Sequence, residues 1–171
     1  VPAKGVIFGA AWNPECIMSM PCQFDFYHGG GLDMAFLGMG EADAVGNVNV
    51  SRLGSRITGS GGFIDISQNA KTMVFCGSFT NGDIVLDTQD GKVNIQKDGS
   101  TKKFRKQVQQ VSFSGEFAAK SGQEVIYVTE RAVFRLIDGK MTLTEIAPGV
   151  DLQRDILDQM EFMPVIADDL R

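Results

Sequence analysis

Glycine is the feature that most constrains this chain. Of its 20 glycines, 15 lie at or before Gly91, several in runs such as His28-Gly29-Gly30-Gly31 and Gly59-Ser60-Gly61-Gly62. Between or after those runs stand short apolar segments of strand length, at 34–37, 48–50 and 73–75. Such segments, closed by glycine, suit buried strands whose loops approach a ligand closely, because glycine has no Cβ to hold the backbone away. The front half is therefore where chemistry is expected.

The back half reads differently. Residues 83–87 and 92–97 alternate apolar and polar around Gln89-Asp90-Gly91, which predicts a β-hairpin, since Asp-Gly supplies the positive φ such a turn needs. Further strands are expected at 111–113, 124–128, 132–137 and 141–146, the last two flanking a second hairpin signal, Asp138-Gly139. Asp151 caps a helix running to about Gln159, with Ile156, Leu157 and Met160 on one face. Strands exceed helices, and a sheet of this size needs helical cover, so part of the domain is expected upstream of Val1. The opening Val1-Pro2-Ala3-Lys4-Gly5 has neither an initiator Met nor the layout of a signal peptide, and reads like the interior of a longer protein.

Composition removes several function classes. The 171 residues are read as one unit, 1–171, with 43% apolar and 22% charged residues, an ordinary globular mixture. Sixteen Lys and Arg against 21 Asp and Glu leave a net charge of -5, which argues against binding nucleic acid. The apolar stretches 6–12, 34–37 and 73–76 fall short of the roughly 20 residues a membrane span needs. Lys102-Lys103-Phe104-Arg105-Lys106 reads as a solvated face rather than a phosphate contact. Cys16, Cys22 and Cys76 form no C-x-x-C pair and His28 is the only histidine, so no metal site is expected. The thiols read as reduced and buried, in a cytoplasmic protein. A Ser–His or Cys–His hydrolase would have to use His28 itself.

Generic nucleotide and hydrolase motifs fail. The 59–62 run continues to Ile64 where a dinucleotide fingerprint needs glycine, Lys71-Thr72 follows Ala70, and Ser60 has Thr58 two residues before it. A backbone reading remains. Glycines followed by a helix turn at 65–70 present N–H groups free of side chains, which can hold an anion or a developing oxyanion. The alternative is a tight turn packed beneath another element, and spacing leaves both open. The triple glycine after Tyr27-His28 divides the same way, and Phe24-Asp25-Phe26-Tyr27 in front of it reads as core rather than a stacking platform.

The segment Pro21-Cys22-Gln23-Phe24-Asp25-Phe26-Tyr27-His28-Gly29-Gly30-Gly31-Leu32-Asp33 resembles the signature of the family I CoA-transferases. The likeness is to the propionate/acetate CoA-transferase branch, whose two halves share one polypeptide. It continues through Gly46-Asn47-Val48-Asn49-Val50-Ser51 and Gly61-Gly62-Phe63-Ile64-Asp65-Ile66-Ser67-Gln68-Asn69-Ala70-Lys71. Phe113-Ser114-Gly115-Glu116, Thr129-Glu130-Arg131-Ala132-Val133-Phe134 and Thr144-Glu145-Ile146-Ala147-Pro148-Gly149-Val150-Asp151 complete it, so it covers nearly the whole chain in order. It implies an α/β fold: an open mixed sheet flanked by helices with a β-rich edge, here an incomplete domain corresponding to the C-terminal part of the second (beta) half.

The implied activity moves CoA from a short-chain acyl-CoA to a carboxylate acceptor by a ping-pong route through a glutamyl-CoA thioester. Acetate, propionate and ketone-body acids are the implied substrate class, with no metal or redox cofactor and CoA itself a substrate. A carboxylate is already ionised at neutral pH and attacks a thioester without a histidine base. The family's nucleophile sits in a Glu-x-Gly turn a few residues before the match to Val1-Pro2-Ala3, and no such turn occurs here. The fragment alone is therefore expected to be inactive. Glu116 and Glu130 are read as capping or ion-paired carboxylates, and His28 is given no role. By resemblance, the backbone of Gly61 and Gly62 supplies the oxyanion hole, with Gly59 and Ser60 beside the substrate. Gly29, Gly30 and Gly31 are expected to pass close to the acyl pocket or the pantetheine arm. Expected partners are the acyl-CoA, a small carboxylic acid, the N-terminal half of the enzyme and further copies of it. The alternative is a non-catalytic module that binds CoA or a partner subunit, and a hydrolase outcome, with water resolving the thioester, stays open.

Overall fold

The computed structural model describes residues 10–171, and the expected reading of residues 1–5 lies outside them. Among the described residues three α-helices, α1 (Met20–His28), α2 (Phe63–Ser67) and α3 (Gly115–Ser121), accompany fourteen strands. The first five strands are β1 (Met34–Gly38), β2 (Glu41–Ala42), β3 (Val48–Asn49), β4 (Arg52–Leu53) and β5 (Arg56–Ile57). Next come β6 (Thr72–Cys76), β7 (Thr80–Asn81), β8 (Val85–Gln89), β9 (Lys92–Lys97) and β10 (Thr101–Lys102). The last are β11 (Glu124–Val128), β12 (Ala132–Ile137), β13 (Lys140–Ile146) and β14 (Val165–Ile166).

Six of these strands form the central sheet, in the order β1-β6-β11-β12-β13-β14. The first three run parallel, β12 and β13 follow antiparallel, and β14 lies parallel to β13, so the sheet is mixed. The remaining strands pair off as β2-β3, β4-β5, β7-β10 and β8-β9. Both expected hairpin turns form: Asp90 and Gly91 take φ of 53° and 73°, and Asp138 and Gly139 take 51° and 70°.

Alternation along β1 sets what each sheet face meets. Ala35 and Leu37 point inward, while Met34 and Phe36 stay 50% and 65% exposed. On the inward face Phe63 of α2 stacks on Phe75 of β6 at 5.8 Å, and Phe75 meets Phe113 and Tyr127 at 5.0 and 5.5 Å. A second aromatic group joins Phe79 to Phe104 at 4.6 Å and Phe104 to Phe134 at 5.0 Å. Rings at these separations add to the stabilisation from their buried area.

Several expectations need correction. Residues 111–113 form no strand but a single bridge from Phe113 to Val48, because β3 is only two residues long. Asp151 does cap its helix, accepting from the Arg154 N–H at 2.8 Å, but a π turn (Leu152–Ile156) and a 3₁₀ turn (Leu157–Gln159) replace an α-helix. The Arg131 guanidinium donates to the Asp155 carbonyl at 2.9 Å, and a helix gripped from the side at a carbonyl does not keep uniform pitch. The aromatic run 24–27 lies on α1, which buries no residue, and Phe26 is 54% exposed. It lies on the outside of α2 rather than in the core.

All three cysteines are free and exposed, not buried. Cys16 precedes α1, Cys22 lies on α1, which buries no residue, and Cys76 ends β6, so none of the three is enclosed by the core. The basic run 102–106 is no solvated face either. Phe104 bridges to Ala42 and is fully buried, which drags Lys103 to 2% exposure. The Lys103 amine donates to Ser78 Oγ at 3.4 Å, and burial lowers its pKa while Glu130 opposes that shift. Among the described residues no helix is long and apolar enough to cross a membrane.

Candidate functional site

In an open α/β sheet, ligands bind beyond the carboxyl ends of the parallel strands. Here those ends lead into Met39 and Gly40 after β1, Gly77 and Ser78 after β6, and Thr129 and Glu130 after β11. The 59–62 turn belongs to this edge. The Gly40 N–H donates to the Asn49 carbonyl at 3.0 Å, and the Gly59 N–H to the Ser51 carbonyl at 3.1 Å. From the turn, α2 carries the chain back to the amino edge, where the Lys71 N–H meets the Leu32 carbonyl at 3.1 Å.

The turn's geometry sets out what each of its glycines contributes. Gly59 and Gly61 take φ of 75° and 53°, a left-handed backbone that glycine adopts without steric cost. A Cβ at either would meet nothing within 4 Å, so these two face open space. A Cβ on Gly62 would instead enter the edge of the Phe24 ring. The Gly59 N–H is engaged by Ser51 and the Phe63 N–H by the Ser60 carbonyl at 3.0 Å. Among the described residues, the N–H groups of Gly61 and Gly62 have no acceptor. Two donors on residues without side chains thus stand together at the carboxyl edge of the sheet, and backbone donors of this kind can meet a developing oxyanion.

Charge near the turn is mixed, with two arginines before it and Asp65 after it in α2. Residues 44–64 carry Arg52 and Arg56 and no acidic residue, within a chain of net charge -5. Both arginines lie on the β4-β5 hairpin that leads into the turn. Gln109 clamps that hairpin, accepting from the Gly54 N–H at 2.8 Å and donating to its carbonyl at 2.9 Å.

Gly29, Gly30 and Gly31 lie elsewhere. They end α1 and turn the chain into the amino end of β1. Their N–H groups are spent on the carbonyls of Asp25, Tyr27 and Phe26, at 2.8, 3.1 and 2.9 Å. A Cβ on Gly31 would stand 2.6 Å from the Phe26 carbonyl oxygen. Asn69, just past α2, fastens this run by donating to the His28 carbonyl at 2.8 Å. The structure therefore separates the two glycine runs to opposite edges of the sheet. His28 Nδ1 stands 3.5 Å from Asp65 on the exposed flank between α1 and α2.

Other residues singled out by sequence have structural partners. Glu116 pairs with Lys120 at 2.7 Å one turn along α3. Glu130 accepts from the Phe79 N–H at 2.8 Å and pairs with Arg131 at 2.9 Å. The Gly46-to-Ser51 motif is a buried polar scaffold: Asp43 accepts from the Val45 and Asn47 N–H groups, and Asn47 Oδ1 accepts from the Gly115 N–H at 3.0 Å. Burial of Tyr127, with Asp43 nearby, pushes its hydroxyl far above the ordinary phenol range, and it donates to the Gly46 carbonyl at 2.6 Å. The brace formed by Asn49, Ser51 and Ser112 escaped sequence reasoning. Its one visible signal was polar side chains at 49 and 51 around a two-residue strand.

No family model matches the sequence. The caffeate CoA-transferase of Acetobacterium woodii is 52% identical over 176 residues, spanning 100% of this chain and 33% of that protein. The acyl-CoA transferase YdiF of Escherichia coli O157:H7, solved as a thioester complex with CoA, matches with a TM-score of 0.90. That match has 49% sequence identity and covers 93% of this chain and 31% of that one. The acetate CoA-transferase subunit beta of Escherichia coli K12 is 31% identical over 151 residues, covering 86% of this chain and 56% of that subunit. The chain thus spans about a third of the length of the first two relatives. By sequence along its whole length and by fold, it belongs to the CoA-transferases.

Proposed function

We propose that the polypeptide carrying this chain transfers CoA between a short-chain acyl-CoA and a carboxylic acid, and that the 59–62 turn is its oxyanion hole. One observation carries the reading: the paired, unengaged N–H groups of Gly61 and Gly62 at the carboxyl edge of the sheet. A glutamate from outside this chain attacks the thioester carbonyl, whose oxygen gains charge and is met by those two N–H groups. The tetrahedral species expels CoA thiolate and leaves an acyl-glutamyl anhydride. Thiolate then attacks the glutamyl carbonyl of that anhydride, releasing the acid and leaving a glutamyl-CoA thioester. The acceptor acid reverses both steps. Gly59 and Ser60 flank the reacting group, whereas Gly29, Gly30 and Gly31 serve to reverse the chain, their N–H groups being spent.

Residues 1–171 are taken as one part of the beta-type domain, and the rest of the polypeptide as its partner. The sheet face bearing Met34 and Phe36 supports that partnership, since parallel sheets are ordinarily covered on both sides. Self-association of the whole enzyme and a cytoplasmic location complete the proposal; three free cysteines suit a reducing compartment.

The test is intact mass of the full polypeptide after incubation with acetyl-CoA, then borohydride reduction and peptide mapping. The expected result is a CoA-sized adduct, lost on reduction, on a glutamate outside this chain. CoA binding without any adduct would overturn the transferase reading in favour of a binding module.

A further inference from the structure

Beneath the 59–62 turn lies a buried polar cluster that the chemistry above leaves without a role. Asn49, Ser51 and Ser112 are 0%, 3% and 5% exposed. A buried hydroxyl or amide is costly unless its hydrogen bonds are made, and here they converge on one stretch of backbone. The Ser112 hydroxyl accepts from the Val50 N–H at 3.1 Å and shares a hydrogen with the Ser51 hydroxyl at 2.8 Å. Ser112 is itself anchored, its N–H donating to the Val48 carbonyl at 2.8 Å. Asn49 Oδ1 accepts from the Ser51 and Arg52 N–H groups at 3.0 and 3.2 Å. Its amide donates to Glu41 Oε2 and the Arg52 carbonyl at 2.7 and 2.6 Å.

The two residues held this way in turn hold the glycine turn. The Val50 carbonyl accepts from the Thr58 hydroxyl at 2.8 Å. The Ser51 carbonyl accepts from the Thr58 and Gly59 N–H groups at 3.0 and 3.1 Å. Past Gly59 the chain enters the stretch 60–62, left-handed at Gly61, where the N–H groups have no acceptor among the described residues. Gly59 is therefore the last fixed point before the two donors. Among the described residues, Ser112 is the one side chain from outside the 40–62 segment that hydrogen-bonds to residues 50 and 51.

We propose that Ser112 is a positioning residue: its hydroxyl sets the carbonyls of residues 50 and 51, and through them the aim of the Gly61 and Gly62 N–H groups. This rests on the oxyanion reading of the turn. Misaiming a donor rather than deleting it costs part of the roughly 10²–10³-fold that one such donor contributes.

The experiment uses the full polypeptide with Ser112→Ala, and Ser121→Ala in α3 as control. Transfer from acetyl-CoA and amide exchange at Thr58 and Gly59 are both measured. The expected result is a kcat lower by about ten- to a hundredfold, a KM for acetyl-CoA within about threefold of wild type, and faster exchange at Thr58 and Gly59. Ser51→Ala, which keeps the Val50 hydrogen bond, should fall between, and it carries the test if Ser112→Ala does not fold. An unchanged kcat, unchanged exchange, or an equal loss in Ser121→Ala would overturn the positioning role. Failure of the wild type to form the CoA adduct would instead overturn the reading of the turn, so the two failures are distinct.

Discussion

The two glycine runs share composition and differ in what their backbones have left to give. In 29–31 every N–H is engaged by a carbonyl of α1, and the Phe26 ring and carbonyl occupy the space where a Cβ of Gly31 would stand. In 59–62 the first N–H is engaged, the next two glycines have none engaged, and two of the three glycines face open space. Glycine serves the first run by fitting where a side chain would collide, and the second by leaving donors exposed. Backbone N–H groups without an internal acceptor, rather than glycine content, are what the proposed oxyanion hole rests on.

The sharpest way to break this contrast is to delete a donor. Gly62 has φ of -85°, near the roughly -65 ± 15° that a proline ring fixes, so Gly62→Pro removes the N–H at the cost of a modest local adjustment of the backbone. Made together with Phe24→Ala to clear the ring, it should lower kcat by about 10²–10³-fold relative to Phe24→Ala alone. Equal kcat values would show that this N–H meets no developing charge.

Gly31→Ala should do the reverse. The new methyl meets a backbone oxygen that cannot swing aside, so stability should fall by about 1–3 kcal/mol in denaturant unfolding, with kcat unchanged. Asn69→Ala removes the tie between the His28 carbonyl and the end of α2, and a smaller loss of about 0.5–1.5 kcal/mol is expected. Amide exchange should quicken near residues 29–31 and stay unchanged at Gly59.

The smallest effect concerns pH. The hydrogen bond and charge of Lys71 lower the pKa of Asp33, and those of Asp33 raise the pKa of Lys71. A depressed carboxylate stabilises above its unfolded pKa of about 4, and that contribution is lost as pH falls through the lower folded value. The raised lysine contributes fully below its unfolded pKa of about 10.4 and loses its contribution as pH rises through the higher folded value. Both groups are exposed, so the change is slight. It should show as a loosening of residues 29–33 in acid, detected by limited proteolysis, abolished by Lys71→Met and absent from 59–62.

Much of the sheet was legible in the chain. The alternation at 83–97, the strand segments at 132–137 and 141–146 and the two Asp-Gly pairs lead directly to β8-β9 and β12-β13, because period and positive φ are local properties. The 59–62 turn could be singled out for the same reason. Helix α1 was missed although Ser19 caps it and Pro21 stands in its first turn, because no apolar stripe accompanies those signals. Lys103 was misread because its burial follows from Phe104 bridging to Ala42, 62 positions away in sequence.

By itself the sequence determined the family, the mixed α/β class and the presence of two glycine-rich turns, through motifs and periodicities that a few neighbouring residues carry. Only the tertiary structure decided which turn keeps its donors free. That depends on partners distant in sequence: the Ser51 carbonyl on Gly59 and, 61 residues from Ser51, the hydroxyl of Ser112. Hydrogen-bond satisfaction is a property of folded neighbours, so two similar glycine runs cannot be told apart until the chain has closed around them.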